Sequence, residues 1–331
     1  MRRGMARARR LAVNKHPKRG VAASAFFELA FGHSPDAEEL ARLEALVPEH
    51  QIETPARAHR ILLAFDAQTY PSPFVVRATK DNLSRLELDG FVLWVDADDP
   101  AVSAVISAER HWEAHVSRVL LRTLRPGSTF LDVGANVGFH TFLAASIVGP
   151  RGSVIAVEPS SENCRLLQLS KADNGTDNVA ILPFALDREP GVRYLTPGVG
   201  TNAVLIPDTR AQLIDGRGTP IYATTLDEIA PPKIDVLKID VEGAEFRVLD
   251  GGRKTLERDK PLIVMEFSCD MSQRTSGVDP GDALQDVLDL GYELFVLDRQ
   301  SRQPVPFASA AALLADWDNP LHIEDLLLRP V

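Results

Sequence analysis

Residues 130–141 read FLDVGANVGFHT, and no other stretch of the 331-residue chain constrains its fold as strongly. An apolar run ends at Asp132, and a glycine-rich turn precedes a segment with helical character. The small residues of the turn are Gly134, Asn136 and Gly138. Because glycine lacks a Cβ, such a turn lets a ligand approach bare backbone, and a helix beginning beyond it presents free N–H groups. The stretch predicts a strand, a nucleotide-type binding turn and a helix.

Downstream of this turn, strand-like and helix-like segments alternate. We expect strands at 129–133, 153–158, 179–184, 234–239, 262–267 and 292–297. We expect helices at about 138–148, 161–173, 243–257 and 281–290. This alternation is typical of an α/β fold with a doubly wound, mainly parallel sheet, in which ligands bind beyond the carboxyl ends of the strands.

The first hundred residues follow a different pattern. We predict a basic disordered tail at 1–20, a small helical module at 21–70, a hairpin with linker at 71–100 and the main α/β domain at 101–331. Asp89-Gly90 separates two segments of alternating polarity, which indicates a β-hairpin. One helix is expected at about 101–124, carrying His111, Trp112 and Glu113. The N-terminal helices are expected to dock a partner or a second copy of the chain.

Charge is distributed unevenly along the chain. The first 20 residues hold eight Lys or Arg and no acid, so the rest carries 28 basic and 46 acidic side chains, a formal charge of −18. A body this acidic repels phosphate backbones, which makes a nucleic-acid substrate unfavourable. No apolar run approaches the roughly 20 residues that a membrane helix needs. Cys164 and Cys269 lie far apart and lack metal-ligand spacing, so we expect a protein of the reducing cytoplasm.

The acid before the glycines indicates which nucleotide binds. A dinucleotide-binding turn has the spacing GxGxxG, which is absent here, and Asp132 would repel a pyrophosphate. The sulfonium and ammonium groups of S-adenosylmethionine instead favour a nearby carboxylate. Glu158 ends the second predicted strand, where a carboxylate can accept hydrogen bonds from ribose hydroxyls.

A second cluster of ionisable residues lies in LKIDVEGAE, residues 237–245. Side chains alternate along a strand, so Lys238 and Asp240 share a face at the end of the strand, and Glu242 follows just beyond. Such groups are costly to bury unless they are paired, which favours a functional site over a purely structural ion pair.

Residues 112–300 resemble an FkbM-type S-adenosylmethionine-dependent methyltransferase. The matching pieces are Trp112-Glu113, DVGANVGFHT, the acid in VEP, TTLDEI, LKIDVEGAE, LIVMEFS and LGYELFVLD. Residues 24–66 resemble, more weakly, a short bacterial helical module of unknown function. The main resemblance implies a class I methyltransferase fold of the Rossmann-like type and O-methylation of a hydroxyl on a carbohydrate or natural product.

The chemistry and the resemblance together define the expected site. The residues expected to bind the cofactor are Glu113, Asp132, Gly134, Ala135, Asn136, Gly138, Glu158, Phe184, Ala185 and Asp240. Asp240 is the first candidate for the base that accepts or positions the hydroxyl proton, supported by Lys238, with Glu242 beside the methyl-transfer point. His140 is the second candidate for the base, and Glu266 is expected to line the acceptor pocket.

Three alternatives remain open. Mg²⁺ held by Asp240, Glu266 and Asp270 would polarise the acceptor, but the spacing does not require it and no metal site is predicted. The Lys/Asp/Glu cluster and the basic tail would also suit an RNA ribose 2′-O-methyltransferase. A catalytically silent binding module is the third reading. An NAD-linked oxidoreductase is disfavoured, because its glycine spacing is absent.

Overall fold

The computed structural model describes residues 21–22, 51–52, 82–197, 203–206, 218–299, 303–317, 319 and 321–331. The chain divides into two units, residues 1–75 and 76–331. In the first unit, β1 (Val21–Ala22) and β2 (Gln51–Ile52) pair antiparallel. The predicted basic tail and N-terminal helices lie outside the described residues.

The second unit contains the elements that build the α/β domain. Its strands are β3 (Leu83–Glu87), β4 (Val92–Asp96), β5 (Thr129–Val133), β6 (Ser153–Val157), β7 (Val179–Leu182), β8 (Ala185–Leu186), β9 (Gly191–Pro197), β10 (Ala203–Ile206), β11 (Thr219–Thr224), β12 (Val236–Ile239), β13 (Leu262–Ser268), β14 (Tyr292–Val296), β15 (Val305–Phe307) and β16 (Ile323–Pro330). Its helices are α1 (Val102–Glu109), α2 (Ala114–Thr123), α3 (Phe139–Val148), α4 (Ser161–Asn174), α5 (Leu226–Ile229), α6 (Glu245–Gly251), α7 (Arg253–Asp259), α8 (Cys269–Ser276), α9 (Pro280–Leu288) and α10 (Ala310–Ala315).

The central sheet has eight strands in the order β15-β14-β16-β13-β12-β5-β6-β7. Strands β7, β6, β5, β12 and β13 are parallel, and β16 runs antiparallel between β13 and β14. The predicted doubly wound, mainly parallel sheet is therefore confirmed. The chain order reverses direction at β5, so β5 and β12 flank the point where a ligand binds in such sheets.

The predicted hairpin is confirmed, and it packs against α4. Strands β3 and β4 pair antiparallel across the Asp89-Gly90 turn. The Val92 N–H donates to Asn174 Oδ1 at 2.7 Å, and the Trp94 N–H donates to Ser170 Oγ at 2.8 Å. The apolar side of β4 thereby joins the core that α3, β5 and β6 build around Phe130 and Phe142.

Two of the predicted helices were expected to be continuous, but each is interrupted in the structure. The helix predicted at 101–124 breaks after Glu109, since Arg110 and Glu113 have positive φ angles of 60° and 39°, which a right-handed helix excludes. The helix predicted at 243–257 begins at Glu245, breaks at Gly252 and ends at Asp259. The first break matters most, because it directs residues 112–113 toward the carboxyl ends of the strands.

A second sheet follows the predicted strand at 179–184. That strand ends at Leu182, and β8 leaves it to form a four-stranded sheet in the order β10-β9-β11-β8. The pairing of β8 with β11 is parallel and the other two pairings are antiparallel. Neither this sheet nor β16 was predicted from sequence. Among the described residues, no helix is long and apolar enough to cross a membrane.

Candidate active site

A cavity opens at the carboxyl ends of β5, β6, β12 and β13. Its walls come from the glycine-rich turn, the ends of these strands, the break between α1 and α2, and the second sheet. The described residues that line it include Trp112, Glu113, Gly134, Ala135, Asn136, Phe139, His140, Glu158, Ala185, Leu186, Leu195, Lys238, Asp240, Glu242 and Glu266. Eleven of the fourteen residues predicted for the site, Glu266 included, therefore line one cavity, while Asp132, Gly138 and Phe184 do not line it.

The glycine-rich turn is shaped by contacts within the chain. A Cβ on Gly134 would lie 1.8 Å from the carbonyl oxygen of Asp240, and the φ of Gly134 is +79°. A Cβ on Gly138 would lie 2.4 Å from Leu167. Glycine is therefore required because the turn packs against β12 and α4, rather than because a ligand touches these two Cα atoms.

Asp132 lies behind the cavity. Its side chain is buried, one oxygen accepts a hydrogen bond from Thr141 Oγ1 at 2.6 Å, and the other lies 3.8 Å from Lys238 Nζ. Asp132 and Lys238 are direct partners in the parallel register of β5 and β12. The carboxylate thus fixes α3 and Lys238 relative to the turn.

The N-terminus of α3 faces the cavity through Phe139 and His140. Gly138 occupies the N-cap position, and no side chain caps the helix. Unpaired N–H groups and the positive end of the helix dipole at such a terminus stabilise a carboxylate.

Glu158 joins the end of β6 to the turn. Its two oxygens accept hydrogen bonds from the N–H groups of Asn136 and Ser160, each at 2.8 Å. The Asn163 side chain also hydrogen-bonds Glu158, whose carboxylate has about four acceptor sites in all and lines the cavity. Burial raises the pKa of Glu158 to about 7, opposed by these two backbone hydrogen bonds.

Lys238 and Asp240 form an ion pair at the end of β12. The Lys238 ammonium donates to Asp240 Oδ2 at 3.0 Å and is almost entirely buried. Burial disfavours the ammonium, but the carboxylates of Asp240 and Asp132 raise the pKa of Lys238 above its usual value. Lys238 therefore remains a cation at neutral pH and is the one cationic side chain among the described residues that line the cavity.

Glu113 and His140 lie next to each other in the cavity lining. Glu113 Oε2 lies 3.9 Å from His140 Nδ1 and is a buried atom with no hydrogen-bond partner among the described residues. Burial and the nearby Asp240 raise the pKa of Glu113 to about 8. Burial and the charge of Lys238 lower the pKa of His140, so the imidazole is neutral. An orphaned buried oxygen of this kind fits a cationic ligand group.

Sequence reasoning missed two supporting interactions. Glu245 Oε1 accepts hydrogen bonds from the N–H groups of Val241 and Gly243 at 3.0 and 3.1 Å, which holds the loop after β12. His115 Nε2 lies 2.5 Å from Asp325 Oδ2, and this buried pair ties α2 to β16 behind the cavity. Glu245 lies in the motif LKIDVEGAE, whereas no local sequence pattern indicates the pairing of His115 with Asp325.

The structure does not bring the three residues named for the magnesium alternative together in the cavity. Asp270 pairs with Arg274 at 2.9 Å and does not line the cavity. Across the described ranges, no group of three or more His, Cys, Asp or Glu side chains is placed to hold a metal ion.

Most of the residues that line the cavity fall within the bounds of a known protein domain. Residues 132–294 match the model of the methyltransferase FkbM domain. The chain contains an FkbM domain. The predicted resemblance is thereby confirmed, and the FkbM domain includes the glycine-rich turn, Glu158, the Lys238–Asp240 pair and Glu266. Glu113 and Asp325 contribute to the same region from outside the matched residues.

Individual known proteins are similar to this chain over part of their own length. This chain is 29% identical over 174 residues to the hexuronic acid methyltransferase AglP of Haloferax volcanii. The similar region covers 51% of this chain and 65% of that protein. This chain is 33% identical over 89 residues to protein-L-isoaspartate O-methyltransferase 1 of Archaeoglobus fulgidus, covering 26% and 41%. It thus spans less than two thirds of either relative. Among solved structures, methyltransferase FkbM from Methylobacillus flagellatus KT is 18% identical, with a TM-score of 0.39, over 62% of this chain and 44% of that chain.

Proposed function

We propose that this chain is an S-adenosylmethionine-dependent O-methyltransferase that methylates a hydroxyl of a carbohydrate or natural product. The observation that carries the proposal is the single cavity in which Glu158, the N-terminus of α3 and the Lys238–Asp240 pair converge. The FkbM domain over residues 132–294 supports the same reaction class.

The donor groups of the cavity fit S-adenosylmethionine. Glu158 would accept a hydrogen bond from the ribose hydroxyls with the acceptor capacity that Asn136, Ser160 and Asn163 leave available. The uncapped N-terminus of α3 would stabilise the methionine carboxylate, and the orphaned Glu113 oxygen would accept from the ammonium group. Ala185, Leu186 and Leu195 form an apolar wall suited to the adenine. In this assignment Phe184, which does not line the cavity, supports β8 rather than the base itself.

The residues around Asp240 would manage the proton. S-adenosylmethionine, when bound, supplies a methyl group on a sulfonium that leaves as a neutral thioether. As the acceptor hydroxyl receives that methyl group, the Asp240 carboxylate would take the hydroxyl proton. Lys238 holds Asp240 through the 3.0 Å hydrogen bond, so the carboxylate is oriented before the acceptor binds. Aligning the two reactants in this way supplies much of the rate of an in-line displacement.

A carbohydrate hydroxyl is the acceptor that the comparisons favour. The name of the Haloferax volcanii relative specifies a hexuronic acid, which is a sugar. An RNA acceptor is less consistent with the cavity, because Glu113, Glu158, Asp240, Glu242 and Glu266 place five carboxyl groups around one cation. These lining residues therefore offer phosphate groups one cation, which Asp240 already pairs.

Calorimetry with a matched pair of variants tests the cofactor assignment. Glu158→Gln should weaken S-adenosylmethionine binding about 10- to 100-fold, since a hydrogen bond to a charged group contributes about 1.5–3 kcal/mol. Glu162→Gln is the control, because Glu162 lies four residues further along, in the first turn of α4, and is exposed. A wild-type protein that binds no S-adenosylmethionine, or equal affinities for both variants, would refute the assignment.

A further inference from the structure

The acceptor end of the cavity lies on the side of β13. Strands β6, β5, β12 and β13 are consecutive in the sheet, and Glu158 and Glu266 stand at the two ends of this row. Three strand spacings separate them, which corresponds to about 14 Å at roughly 4.8 Å per strand. If the ribose is held at Glu158 and the methyl group is transferred near Asp240, the acceptor must contact Glu266.

A row of acids crosses the sheet at this end. Glu266 and Asp325 are direct partners in the antiparallel register of β13 and β16. Asp240 stands two residues beyond Lys238, whose register partner is Val264, so Asp240 belongs to the same row as Glu266. Glu242 lines the cavity beside them.

The cations near this row are already engaged or lie elsewhere. Lys238 is held between Asp240 and Asp132, at 3.0 and 3.8 Å. His115 is buried against Asp325 at 2.5 Å. Arg299 is exposed and acts on Glu113, which also experiences the charges of Asp240 and Asp325. Within the described part of the chain, the Glu266 carboxyl makes no hydrogen bond, so it is available to a ligand.

We propose that Glu266 determines acceptor specificity by selecting a sugar or polyol that carries no negative charge beside the methylated hydroxyl. This proposal rests on the proposed function and departs from the hexuronic acid that names the Haloferax volcanii relative. A carboxylate on an acceptor held at Glu266 would lie beside the negative charge of Asp240, and the one cationic side chain among the described residues that line the cavity is already paired with Asp240. Burial and the neighbouring Asp240 also raise the pKa of Glu266 to about 10, so its carboxyl carries a proton that it can donate to an acceptor oxygen.

Matched sugar pairs test the proposal. The methyl glycosides of glucose, galactose and mannose are compared with those of the corresponding uronic acids, which differ in one carboxylate. Demethylated cofactor is measured with the full chain at pH 7.5. We expect the wild-type protein to prefer at least one neutral glycoside over its uronate by at least tenfold in kcat/KM. Glu266→Lys should lower that preference at least tenfold by raising turnover of the uronate.

A second variant keeps the test decisive if Glu266→Lys fails to fold. Glu266→Gln preserves the hydrogen-bonding shape without a titrating proton, so it should keep the preference within threefold and extend activity on the neutral sugar above pH 9.5, where the wild-type protein loses it. Glu293→Gln, in an exposed pair with Arg329, is the control. Turnover confined to uronates, or absent from all six glycosides, overturns the proposal when calorimetry shows cofactor binding. Absence of cofactor binding refutes the proposed function instead.

Discussion

The Lys238 ammonium lies between two carboxylates, 3.0 Å from Asp240 and 3.8 Å from Asp132, in a position that is almost closed to solvent. One of these acids is buried behind the cavity and the other faces into it. The ion pair thus connects the strand that starts the glycine-rich turn with the strand that ends at the proposed methyl-transfer point. Lys238 is therefore expected to contribute both to folding stability and to the proposed catalysis.

Replacing Lys238 should destabilise the protein in a pH-dependent manner. Lys238→Met leaves Asp132 and Asp240 without their cation, and breaking a buried pair costs about 3–5 kcal/mol. Lys238 opposes the rise that burial causes in the pKa of Asp132, so its loss raises the folded-state pKa of Asp132 further above the unfolded value. The unfavourable effect of the buried Asp132 carboxylate is therefore absent at low pH and grows as the pH rises. Urea unfolding should show a larger deficit at pH 8 than at pH 5.

Lys233→Met is the control for this measurement, because Lys233 is exposed near the start of the same strand. It should change the free energy of unfolding by less than about 0.5 kcal/mol. A deficit for Lys238→Met that is equal at both pH values would contradict the electrostatic origin of its effect.

Asp240→Asn should separate catalysis from cofactor binding. The amide can still lie beside Lys238, but it cannot take a proton, so kcat should fall about 10²–10⁴-fold. The dissociation constant for S-adenosylmethionine, measured by calorimetry, should change by less than about fivefold. Asp289→Asn, in the exposed pair with Gln285, should leave both quantities unchanged. A kcat retained within threefold would exclude Asp240 as the base.

Gly134→Ala should be far more damaging than an alanine at another glycine with positive φ. The new Cβ would lie 1.8 Å from the Asp240 carbonyl oxygen, a backbone atom that cannot move without displacing β12. Overpacking of this kind costs about 1–3 kcal/mol or more, in addition to the strain at positive φ. Gly127→Ala is the matched control, since its φ is +93° and no atom lies within 4 Å of its Cβ. Equal melting temperatures for the two variants would contradict this prediction, because they would show that the turn can shift to accommodate the added Cβ.

Sequence reasoning succeeded where the signal is local. Apolar runs that end in acids predicted β5, β6 and β12, and alternation along β12 placed Lys238 and Asp240 on one face. The Asp89-Gly90 turn predicted the hairpin for the same reason. The physical cause of the glycine at position 134 was not predictable, because the atom that requires it belongs to a strand about a hundred residues away.

Features that depend on pairing between strands far apart in the chain could not be predicted from the sequence. The register that places Asp325 opposite Glu266 joins strands about 60 residues apart, and the C-terminal strand carries no helix-to-strand alternation that would reveal it. The break between α1 and α2 occurs at Arg110 and Glu113, without a glycine or proline to mark it. Glu113 was expected at the site, but only the break directs it there.

Glu245 should contribute a pH dependence to stability that a neutral isostere removes. Burial raises its pKa from about 4.5 to about 7, opposed by hydrogen bonds from backbone N–H groups that include those of Val241 and Gly243. A folded-state pKa above the unfolded value means that its stabilising effect is present below pH 4.5 and is lost as the pH rises to about 7, by about 3 kcal/mol at 1.36 kcal/mol per unit. Glu245→Gln keeps an oxygen for the two N–H groups, so its free energy of unfolding should fall less than that of the wild-type protein between pH 5 and pH 8. Glu257→Gln, in an exposed pair with Arg253, should follow the wild-type curve, and parallel curves for all three proteins would contradict this origin.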